Sequence, residues 1–296
     1  MNEHDRLVDR AARHASTVLF IGGLDAGKST LARATAAYAL RLGRTVAYLD
    51  ADVSQKTVGP PATVGLKHVR EPDDLTRERL SHADALGFVG STSPQGHLLP
   101  LAGALARLRD RAHAEGSDLV VVDTSGMVSG IWGQLVKYYK VDMLEPDLVV
   151  GLQRGEELEP VLGVLQRFFG VEIVTLPVHP GVVSTSVEQR SEQRERAMAT
   201  YFAGDLQRFR VKPTVFMPTL PELFDLRELD RLLVGLSDGH GGFTGLGYLE
   251  HVPEDGGLRL NSPVAEPPKA LRLGSVRLEA SFRAKRVDLR NLFGTE

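Results

Sequence analysis

Short apolar runs and longer helix-forming stretches alternate along the first 205 residues of the chain. The apolar runs are typical of buried strands, and they lie at residues 16–21, 45–49, 119–122, 148–152 and 172–176. The longer stretches are each followed by a glycine, which is typical of helices, and they lie at residues 28–42, 98–115 and 156–169. Strands that alternate with helices predict an α/β fold, in which a mainly parallel sheet is flanked by helices on both faces.

The pattern changes after Gly204. Residues 212–222 are marked by prolines and are typical of a linker, and a short helix is expected near 226–233. Strand-like runs follow at 246–252, 258–260 and 271–282, separated by turn-rich segments. We therefore predict two domains. Residues 1–205 form the α/β domain, with a helix near 187–203, and residues 206–296 form a small β-rich C-terminal domain.

Composition narrows the class of protein only modestly. The 296 residues are 42% hydrophobic and 25% charged, which is ordinary for a globular chain with a real core. A net charge of -3 argues against a generally basic surface, and the lack of cysteine excludes disulfides and cysteine-based zinc sites. No apolar run is long enough to span a membrane, and residues 1–15 do not have the pattern of a signal peptide. We expect a cytoplasmic protein with no membrane partner.

A glycine-rich loop lies between the first predicted strand and the first predicted helix. Residues 22–29 fit the pattern G-x-x-x-x-G-K-[ST]. The glycines let backbone N–H groups point at phosphates, and the helix directs its positive N-terminus at the same anion. Lys28 would reach the β- and γ-phosphates, and Ser29 would ligate Mg²⁺. A chance glycine-rich turn is the alternative, but the strand–loop–helix context favours a P-loop NTPase that binds ATP or GTP with Mg²⁺.

Two other strands end in aspartates that belong at the same edge of the sheet. Asp123 follows residues 119–122 and could hold Mg²⁺ directly or through water, although it could also cap a turn. Asp50 and Asp52 follow residues 45–49. A carboxylate at this place could accept a proton from an attacking hydroxyl. We favour Asp52 for that role, and Asp50 could instead be structural or repel Asp52.

Two further segments are ambiguous when taken alone. Arg190 and Arg194 are four residues apart on a predicted helix and could close over transferring phosphates. Glutamates are interleaved with them, so the pattern by itself favours an exposed, salt-bridged helix. Residues 90–97 form a polar turn whose hydroxyls could orient a substrate. The scattered histidines have no metal-binding spacing.

In this order, the motifs are those of a known family. The chain resembles the polynucleotide 5′-hydroxyl kinases, which include RNA 5′-kinases of pre-mRNA cleavage and pre-rRNA processing, and it is most similar to the archaeal members. The resemblance spans roughly residues 16–205 and rests on residues 22–30, 49–55, 90–94, 123–126, and Arg190 and Arg194 before 201–204.

The resemblance implies a role for each matching position. The implied catalytic residues are Lys28, Asp52 as general base, and the lid arginines Arg190 and Arg194. The implied nucleotide-binding residues are Gly22, Gly23, Leu24, Asp25, Ala26, Gly27, Lys28, Ser29 and Thr30. The implied Mg²⁺ ligands are Ser29 and Asp123. The implied substrate-binding residues are Gln55, Thr92 and Ser93 of the loop called the clasp, Gly126 and Met127.

One position departs from the family pattern. Many members carry a tryptophan directly after the Thr-x-Gly segment, where it stacks on a substrate base, and here that position is Met127. A methionine lacks the aromatic stacking that is worth ~1–3 kcal/mol. Trp132 could replace it only if the loop were rearranged. The departure bears on the choice between RNA and DNA.

The prediction is an ATP-dependent kinase for the 5′-hydroxyl end of RNA, with DNA as a second acceptor. Three alternatives stay open: a P-loop GTPase or ATPase switch, a kinase for a small metabolite or nucleoside, and a non-catalytic nucleotide-binding scaffold in RNA processing. The chain has no Asn-Lys-x-Asp segment that would read guanine, which argues against the switch. The oligomeric state is left open.

Overall fold

A computed structural model describes residues 2–221, 224–254 and 256–294. The helices of these residues are α1 (Glu3–His14), α2 (Lys28–Arg41), α3 (Arg77–Ser81), α4 (Leu98–Ala114), α5 (Gly130–Leu144), α6 (Glu159–Phe168), α7 (Val187–Tyr201) and α8 (Leu289–Phe293). The first nine strands are β1 (Thr17–Gly22), β2 (Val46–Asp50), β3 (Thr63–Val69), β4 (Ala85–Phe88), β5 (Leu119–Asp123), β6 (Leu148–Gln153), β7 (Glu172–Pro177), β8 (Gln207–Val211) and β9 (Phe216–Met217). The last five are β10 (Leu232–Ser237), β11 (Phe243–Val252), β12 (Gly257–Ser262), β13 (Ala270–Leu278) and β14 (Ala284–Arg286).

The predicted parallel sheet is confirmed as the centre of the molecule. Strands β2, β5, β1, β6 and β7 are neighbours in that order, and every pairing among them is parallel. Beyond β2 the sheet continues through β3 and β4, which pair antiparallel. The alignment of the parallel strands places Asp50 directly opposite Asp123. The two acidic strand ends therefore meet at one edge of the sheet, next to the loop that follows β1.

Helices cover both faces of this sheet. Successive residues of β1 point to opposite faces, so Leu19 and Ile21 join one buried cluster while Val18 and Phe20 join the other. Helices α4, α5 and α6 contribute to the first cluster, and α1 and α2 contribute to the second. Fully apolar strands of this kind are expected where both faces are buried. Within the described residues, no helix has the length and apolarity needed to cross a bilayer.

The C-terminal strands join the same sheet. Strand β11 pairs with β4 at Phe243 and Leu86, and β10, β13 and β14 follow it outward. The backbone N–H of Ser275 on β13 also donates to the carbonyl of Gly90 at 2.8 Å. Gly90 is the first residue of the clasp, which comprises residues 90–97. The β-rich character of this part was predicted correctly. The division at residue 205 stays a prediction.

Some local predictions were wrong. The expected helix near 226–233 is a short 3₁₀ turn, Leu226–Leu229, followed directly by β10. The expected linker at 212–222 contains the short strand β9, and its residue 222 lies outside the described residues. Helices α1, α3, α5 and α8 were not predicted at all. The omission of α5 matters because it carries two buried lysines near the site.

Candidate active site

The P-loop has the backbone shape that its sequence requires. Gly27 has a φ of 89°, a left-handed conformation that glycine adopts readily, and it directly precedes α2. At Gly22, a Cβ atom would lie 2.7 Å from the carbonyl oxygen of Leu152, so a larger residue would clash. The Lys28 Nζ donates to the carbonyl of Gly23 at 2.6 Å, which turns the side chain back over the loop. The loop and the lysine thus lie where a phosphate chain would be held.

Lys28 is buried and surrounded by acids. Burial lowers its pKa, and the negative charges of Asp123, Asp52 and Asp25 oppose that shift. Three strand-end or loop carboxylates therefore lie close enough to act on one ammonium group. Such a cationic group among carboxylates, next to the N-terminus of α2, can neutralise the charge of a transferring phosphoryl group.

Asp123 is buried in unusually acidic surroundings. Tyr48 donates its hydroxyl to Asp123 Oδ2 at 3.1 Å, whereas Asp123 Oδ1 is buried without a hydrogen-bond partner among the described residues. Burial raises the pKa of Asp123 to about 6. The charge of Asp50 adds to this rise, and the Ser29 hydroxyl and the Lys28 charge oppose it. An orphaned, buried carboxylate oxygen calls for a cation or a cation-bound water.

These residues fit a Mg²⁺ site of the kind that P-loop proteins use. Ser29 lies in the first turn of α2 and is close enough to influence the pKa of Asp123. Mg²⁺ usually takes one or two protein ligands and completes its shell with waters and substrate phosphates. In the part of the chain that the structure describes, no group of three or more His, Asp or Glu could hold a metal ion. Ser29 and Asp123 would be such a small set of protein ligands, and a bound nucleotide would supply others.

The structure separates the two aspartates after β2. Asp50 is buried, and its Oδ2 accepts from the backbone N–H groups of Thr57 and Val58 and pairs with Lys56 Nζ at 2.9 Å. Its Oδ1 accepts from the N–H of Asp52 at 2.9 Å. Asp50 therefore holds the loop after β2 in shape.

Asp52 is only partly buried, and the loop around it is compact. Its Oδ1 accepts from the N–H groups of Ser54 and Gln55, at 2.8 and 3.2 Å. These bonds fix the orientation of the carboxylate through a short local turn. The Gln55 amide also donates to the backbone carbonyl of Arg190 at 3.1 Å, which ties this loop to α7. Asp52 is thus the better placed of the two aspartates to face a substrate.

Two lysines of α5 lie buried beneath this edge of the sheet. Lys140 Nζ donates to the carbonyl of Ala51 at 2.7 Å, and Lys137 Nζ donates to Thr124 Oγ1 at 2.9 Å and to the carbonyl of Ser125 at 2.6 Å. Burial lowers the pKa of Lys140 to about 8, and the charge of Asp52 opposes this shift. Burial also lowers the pKa of Lys137 well below its usual range.

Lys137 and Lys140 were not predicted as residues of the site. Lys140 binds the backbone of the loop after β2, and Lys137 binds the backbone of the Thr-x-Gly segment after β5. The two lysines therefore stabilise both sides of the site. The signal that could have revealed them is two lysines three residues apart in residues 135–144, a stretch whose other members are apolar or aromatic except for Asp142. Buried lysines are rare unless they have partners, so such a pattern marks a polar site next to a core.

The two arginines of α7 point to different neighbours. Arg190 pairs with Asp25 of the P-loop, with 2.5 Å between Nη2 and Oδ2. Asp25 also accepts from the N–H of Thr185 at 2.8 Å. Arg194 instead lines a cavity of about 230 Å³ together with Thr92 of the clasp and Arg283 from the C-terminal strands. One helix therefore contacts the P-loop and borders the clasp, as a lid would.

A third arginine holds the outer side of the P-loop. Arg154, just after β6, donates to the carbonyls of Leu24 and Asp25, at 3.3 and 2.8 Å. Arg154 was not predicted as a site residue. A single arginine after a predicted strand carries no distinctive pattern, so the contact is visible only in the fold.

The remaining predicted substrate residues lie around the same edge. Ser93 accepts from the N–H of Gln95 at 3.3 Å, so part of its capacity goes to the turn of the clasp. A Cβ on Gly126 would lie 2.6 Å from the Leu24 side chain, so the Thr-x-Gly segment packs directly on the P-loop. Met127 is partly buried, and Trp132 is exposed on the first turn of α5. Thr30 is exposed on the first turn of α2.

The chain is similar in sequence to proteins named polyribonucleotide 5′-hydroxyl-kinases. The 27% identity to the polyribonucleotide 5′-hydroxyl-kinase of Thermococcus kodakarensis extends over 88% of both chains. The chain is 33% identical to the polyribonucleotide 5′-hydroxyl-kinase of Methanocaldococcus jannaschii, but this match covers 62% of the chain and only half of that protein. Rattus norvegicus Clp1, named as the same kind of kinase, is 30% identical over 67% of the chain and 48% of its own length.

The fold has solved counterparts as well. The structure of a Clp1p–Pcf11p complex superimposes with a TM-score of 0.70 at 14% identity, and it covers 93% of this chain and 77% of that one. At this identity the likeness concerns the fold. The model of the family described as mRNA cleavage and polyadenylation factor CLP1 P-loop matches residues 22–204, which include the P-loop, the acidic strand ends, the clasp and the lid helix. The chain belongs to the CLP1 P-loop family.

Proposed function

We propose that this protein is an ATP-dependent kinase that transfers the γ-phosphate to the 5′-hydroxyl end of RNA. The observation that carries the proposal is the cavity between Thr92 and Arg194, which adjoins the lid helix whose other arginine contacts the P-loop. A nucleotide switch needs no second cavity beside its phosphate loop, whereas a kinase needs room for an acceptor. Relatives named polyribonucleotide 5′-hydroxyl-kinases support RNA as that acceptor.

Asp52 acts as the general base in this proposal. Its carboxylate accepts the proton of the 5′-hydroxyl while the hydroxyl oxygen bonds to the γ-phosphorus and the bond to the β–γ bridging oxygen breaks, leaving ADP. The local turn at Ser54 and Gln55 holds the carboxylate, and Lys140 holds the backbone of Ala51 next to it. Asp50 is unsuited to this role because its oxygens are used inside the loop.

The cations of the site neutralise the phosphates. Lys28 binds the β- and γ-phosphates. Arg190, which pairs with Asp25 of the P-loop, binds the same phosphates. Arg194 lies nearer to the acceptor side, where it orients the attacking hydroxyl and the γ-phosphate. Ser29 and Asp123 would hold Mg²⁺, which would supply further positive charge to the transferring group when bound.

The acceptor end is assigned to the clasp. Thr92 lines the cavity, and Gln55 lies at the junction between the Asp52 loop and the lid. Gly126 packs on Leu24 of the P-loop. In this proposal Met127, the next residue, would contact the first base. The preference for RNA over DNA, the use of GTP and a cytoplasmic location stay predictions.

The test is transfer of labelled γ-phosphate from ATP to 5′-hydroxyl RNA and DNA oligomers. We expect wild type to label RNA, and we expect Asp52→Asn to lower kcat by about 10²–10⁴-fold while ATP binding is retained, since a general base contributes about this much. Asp205→Asn is the matched control because Asp205 is exposed and lies outside the site. Hydrolysis of nucleotide without labelling of any oligomer would sink the kinase proposal. Full activity of Asp52→Asn would remove only the assignment of the base.

A further inference from the structure

Three arginines of the C-terminal strands lie against the clasp. Arg272 is on β13, Arg286 is on β14, and Arg283 lies in the turn just before β14. We call these residues the β13–β14 arginines. Arg283 lines the acceptor cavity together with Thr92 and Arg194.

The other two arginines adjoin the far end of the clasp. The Arg286 Nη2 lies 3.9 Å from the position that a Cβ on Gly96 would take. His97, the next residue, bonds to Ser275 Oγ on β13, with 2.6 Å between Nε2 and Oγ. Burial lowers the pKa of His97, and the positive charges of Arg286 and Arg272 lower it further. The clasp is therefore in the positive field of both arginines.

Among the described residues, no carboxylate forms a salt bridge with any of the β13–β14 arginines, although most ion pairs of this part of the chain involve arginine. Glu195 lines the same cavity as Arg283 without forming such a pair. Burial lowers the pKa of Arg272, and the nearby charge of Arg107 lowers it further. A half-buried guanidinium whose charged neighbour is another guanidinium is satisfied best by an anion from outside.

Helix α4 adds to this positive field. It is 17 residues long and begins at Leu98, directly after His97, and no side chain of the described residues caps its N-terminus. The free N–H groups and the dipole of a long helix favour negative charge at this end. The helix start and the β13–β14 arginines thus face the same region beside the clasp.

The spacing of these charges favours a polyanion over a single phosphate. The row begins at Arg283 in the acceptor cavity and continues past Gly96 to Arg286 and Arg272. We propose that the β13–β14 arginines bind the backbone phosphates of the RNA strand downstream of its 5′ end. The proposal rests on the proposed function. It assigns RNA, and not an acidic protein, because the row is continuous with the cavity for the acceptor end.

The experiment compares 5′-hydroxyl RNA of two and of ten nucleotides. For each length kcat/KM is measured in wild type, in the double variant Arg272→Ala/Arg286→Ala, and in Arg6→Ala. Arg6 is an exposed arginine on α1, whose neighbour Arg10 pairs with Glu172 on the opposite edge of the sheet. Arg283 is left unchanged because it lines the acceptor cavity. Thermal unfolding of each variant checks the fold.

We expect the ratio of kcat/KM for the long over the short acceptor to fall about tenfold in the double variant and to stay at the wild-type value in Arg6→Ala. The salt dependence of binding to the ten-nucleotide RNA should become shallower by about 1.4 in the log–log slope, since each single-strand phosphate contact contributes about 0.7. A ratio equal to that of wild type would overturn the proposal, and so would an equal loss at both lengths.

Binding keeps the two proposals distinguishable. Fluorescence polarisation of the ten-nucleotide RNA needs no phosphate transfer. If no oligomer is labelled, the kinase proposal fails. Weaker binding by the double variant with a shallower salt slope would still support the binding of RNA phosphates by the β13–β14 arginines. Unchanged binding by the double variant would overturn that proposal even if every oligomer were labelled.

Discussion

At the residue scale, one amino-acid type serves three purposes within one edge of the sheet. Asp50 has its oxygens engaged by backbone N–H groups and Lys56. Asp52 is held by a local turn and remains partly exposed. Asp123 is buried, and one of its oxygens lacks a hydrogen-bond partner among the described residues. The sequence predicted where these aspartates lie, because Asp50 and Asp123 directly follow apolar runs and Asp52 comes two residues after Asp50. It did not predict their hydrogen bonding, because that depends on how residues 51–58 fold back on Asp50 and Asp52, and on Tyr48, which is distant from Asp123 in the chain.

The buried carboxylate of Asp123 leads to a prediction about stability in the absence of Mg²⁺. Its pKa of about 6 lies above the ordinary value of 3.8, so the folded state holds the proton more tightly than the unfolded state. The fold therefore loses stability as pH rises from about 4 to about 6. At 1.36 kcal/mol per pKa unit, the loss is at most about 3 kcal/mol.

Asp123→Asn removes this penalty. With EDTA present, we expect the variant to have a higher Tm than wild type at pH 8. The difference should be much smaller at pH 4, where the carboxyl group is protonated in the folded state and only about half ionised in the unfolded state. The measurement is differential scanning calorimetry across pH. Asp205→Asn, an exposed aspartate, should show no such pH-dependent gain. A lower Tm for Asp123→Asn at pH 8 would contradict the destabilising charge.

At the scale of elements, α5 shows why part of the site could not be predicted. A Cβ on Gly133 would lie 2.3 Å from the backbone carbon of Val128, so a glycine is required in the first turn of this helix. Glycine disfavours helices in general, and the buried Lys137 and Lys140 interrupt the apolar face. The local pattern therefore conceals a helix that packing and hydrogen bonds stabilise. By contrast, α7 was predicted closely because its Ser186 cap and polar surface follow local rules.

The contact between α7 and the P-loop gives a prediction about lid movement. Asp25→Asn removes the charge that pairs with Arg190 but keeps an oxygen that accepts from the N–H of Thr185. In the absence of nucleotide, the lid should open more often by about tenfold, which corresponds to about 1.4 kcal/mol. The measurement is the rate of limited proteolysis within α7.

Two further arms sharpen this test. ATP should reduce the difference between Asp25→Asn and wild type, because the nucleotide phosphates offer Arg190 a new partner. Asp9→Asn is the control, since Asp9 pairs with Arg13 on α1, away from the lid. Equal proteolysis of wild type and Asp25→Asn without nucleotide would show that this ion pair does not hold the lid.

At the scale of the whole molecule, the C-terminal strands complete the site. Turn-rich separators and short apolar runs were enough to predict that this part is β-rich. The pairing of β11 with β4 and the contact between β13 and the clasp are non-local, so no local pattern predicts them. A buried cluster also spans the two parts, since Phe88 and Phe202 pack with Leu233 and Leu246. The clasp is therefore shaped by residues on both sides of the predicted boundary.

This shared core predicts that both parts unfold together. Gly235 on β10 faces Phe88 on β4, and an added Cβ would lie 2.5 Å from the aromatic ring. We expect Gly235→Ala to be destabilised by about 1–3 kcal/mol, the usual effect of overpacking a filled core. Gly163→Ala is the matched control, because a Cβ there meets no atom within 4 Å and Gly163 lies inside α6. That change should be stabilising by about 0.5–1 kcal/mol.

The shape of the unfolding transition decides whether the junction is cooperative. Calorimetry of wild type should show one transition, and Gly235→Ala should move the whole transition to lower temperature. The same change should also disturb the conformation of the clasp, because β10 pairs with β13 and Ser275 of β13 bonds to Gly90 and His97. KM for a 5′-hydroxyl oligomer should therefore rise more than KM for ATP. Two separate transitions, of which Gly235→Ala shifts only one, would show that the C-terminal strands fold as an independent unit. The contact between β11 and β4 would then have no effect on the clasp.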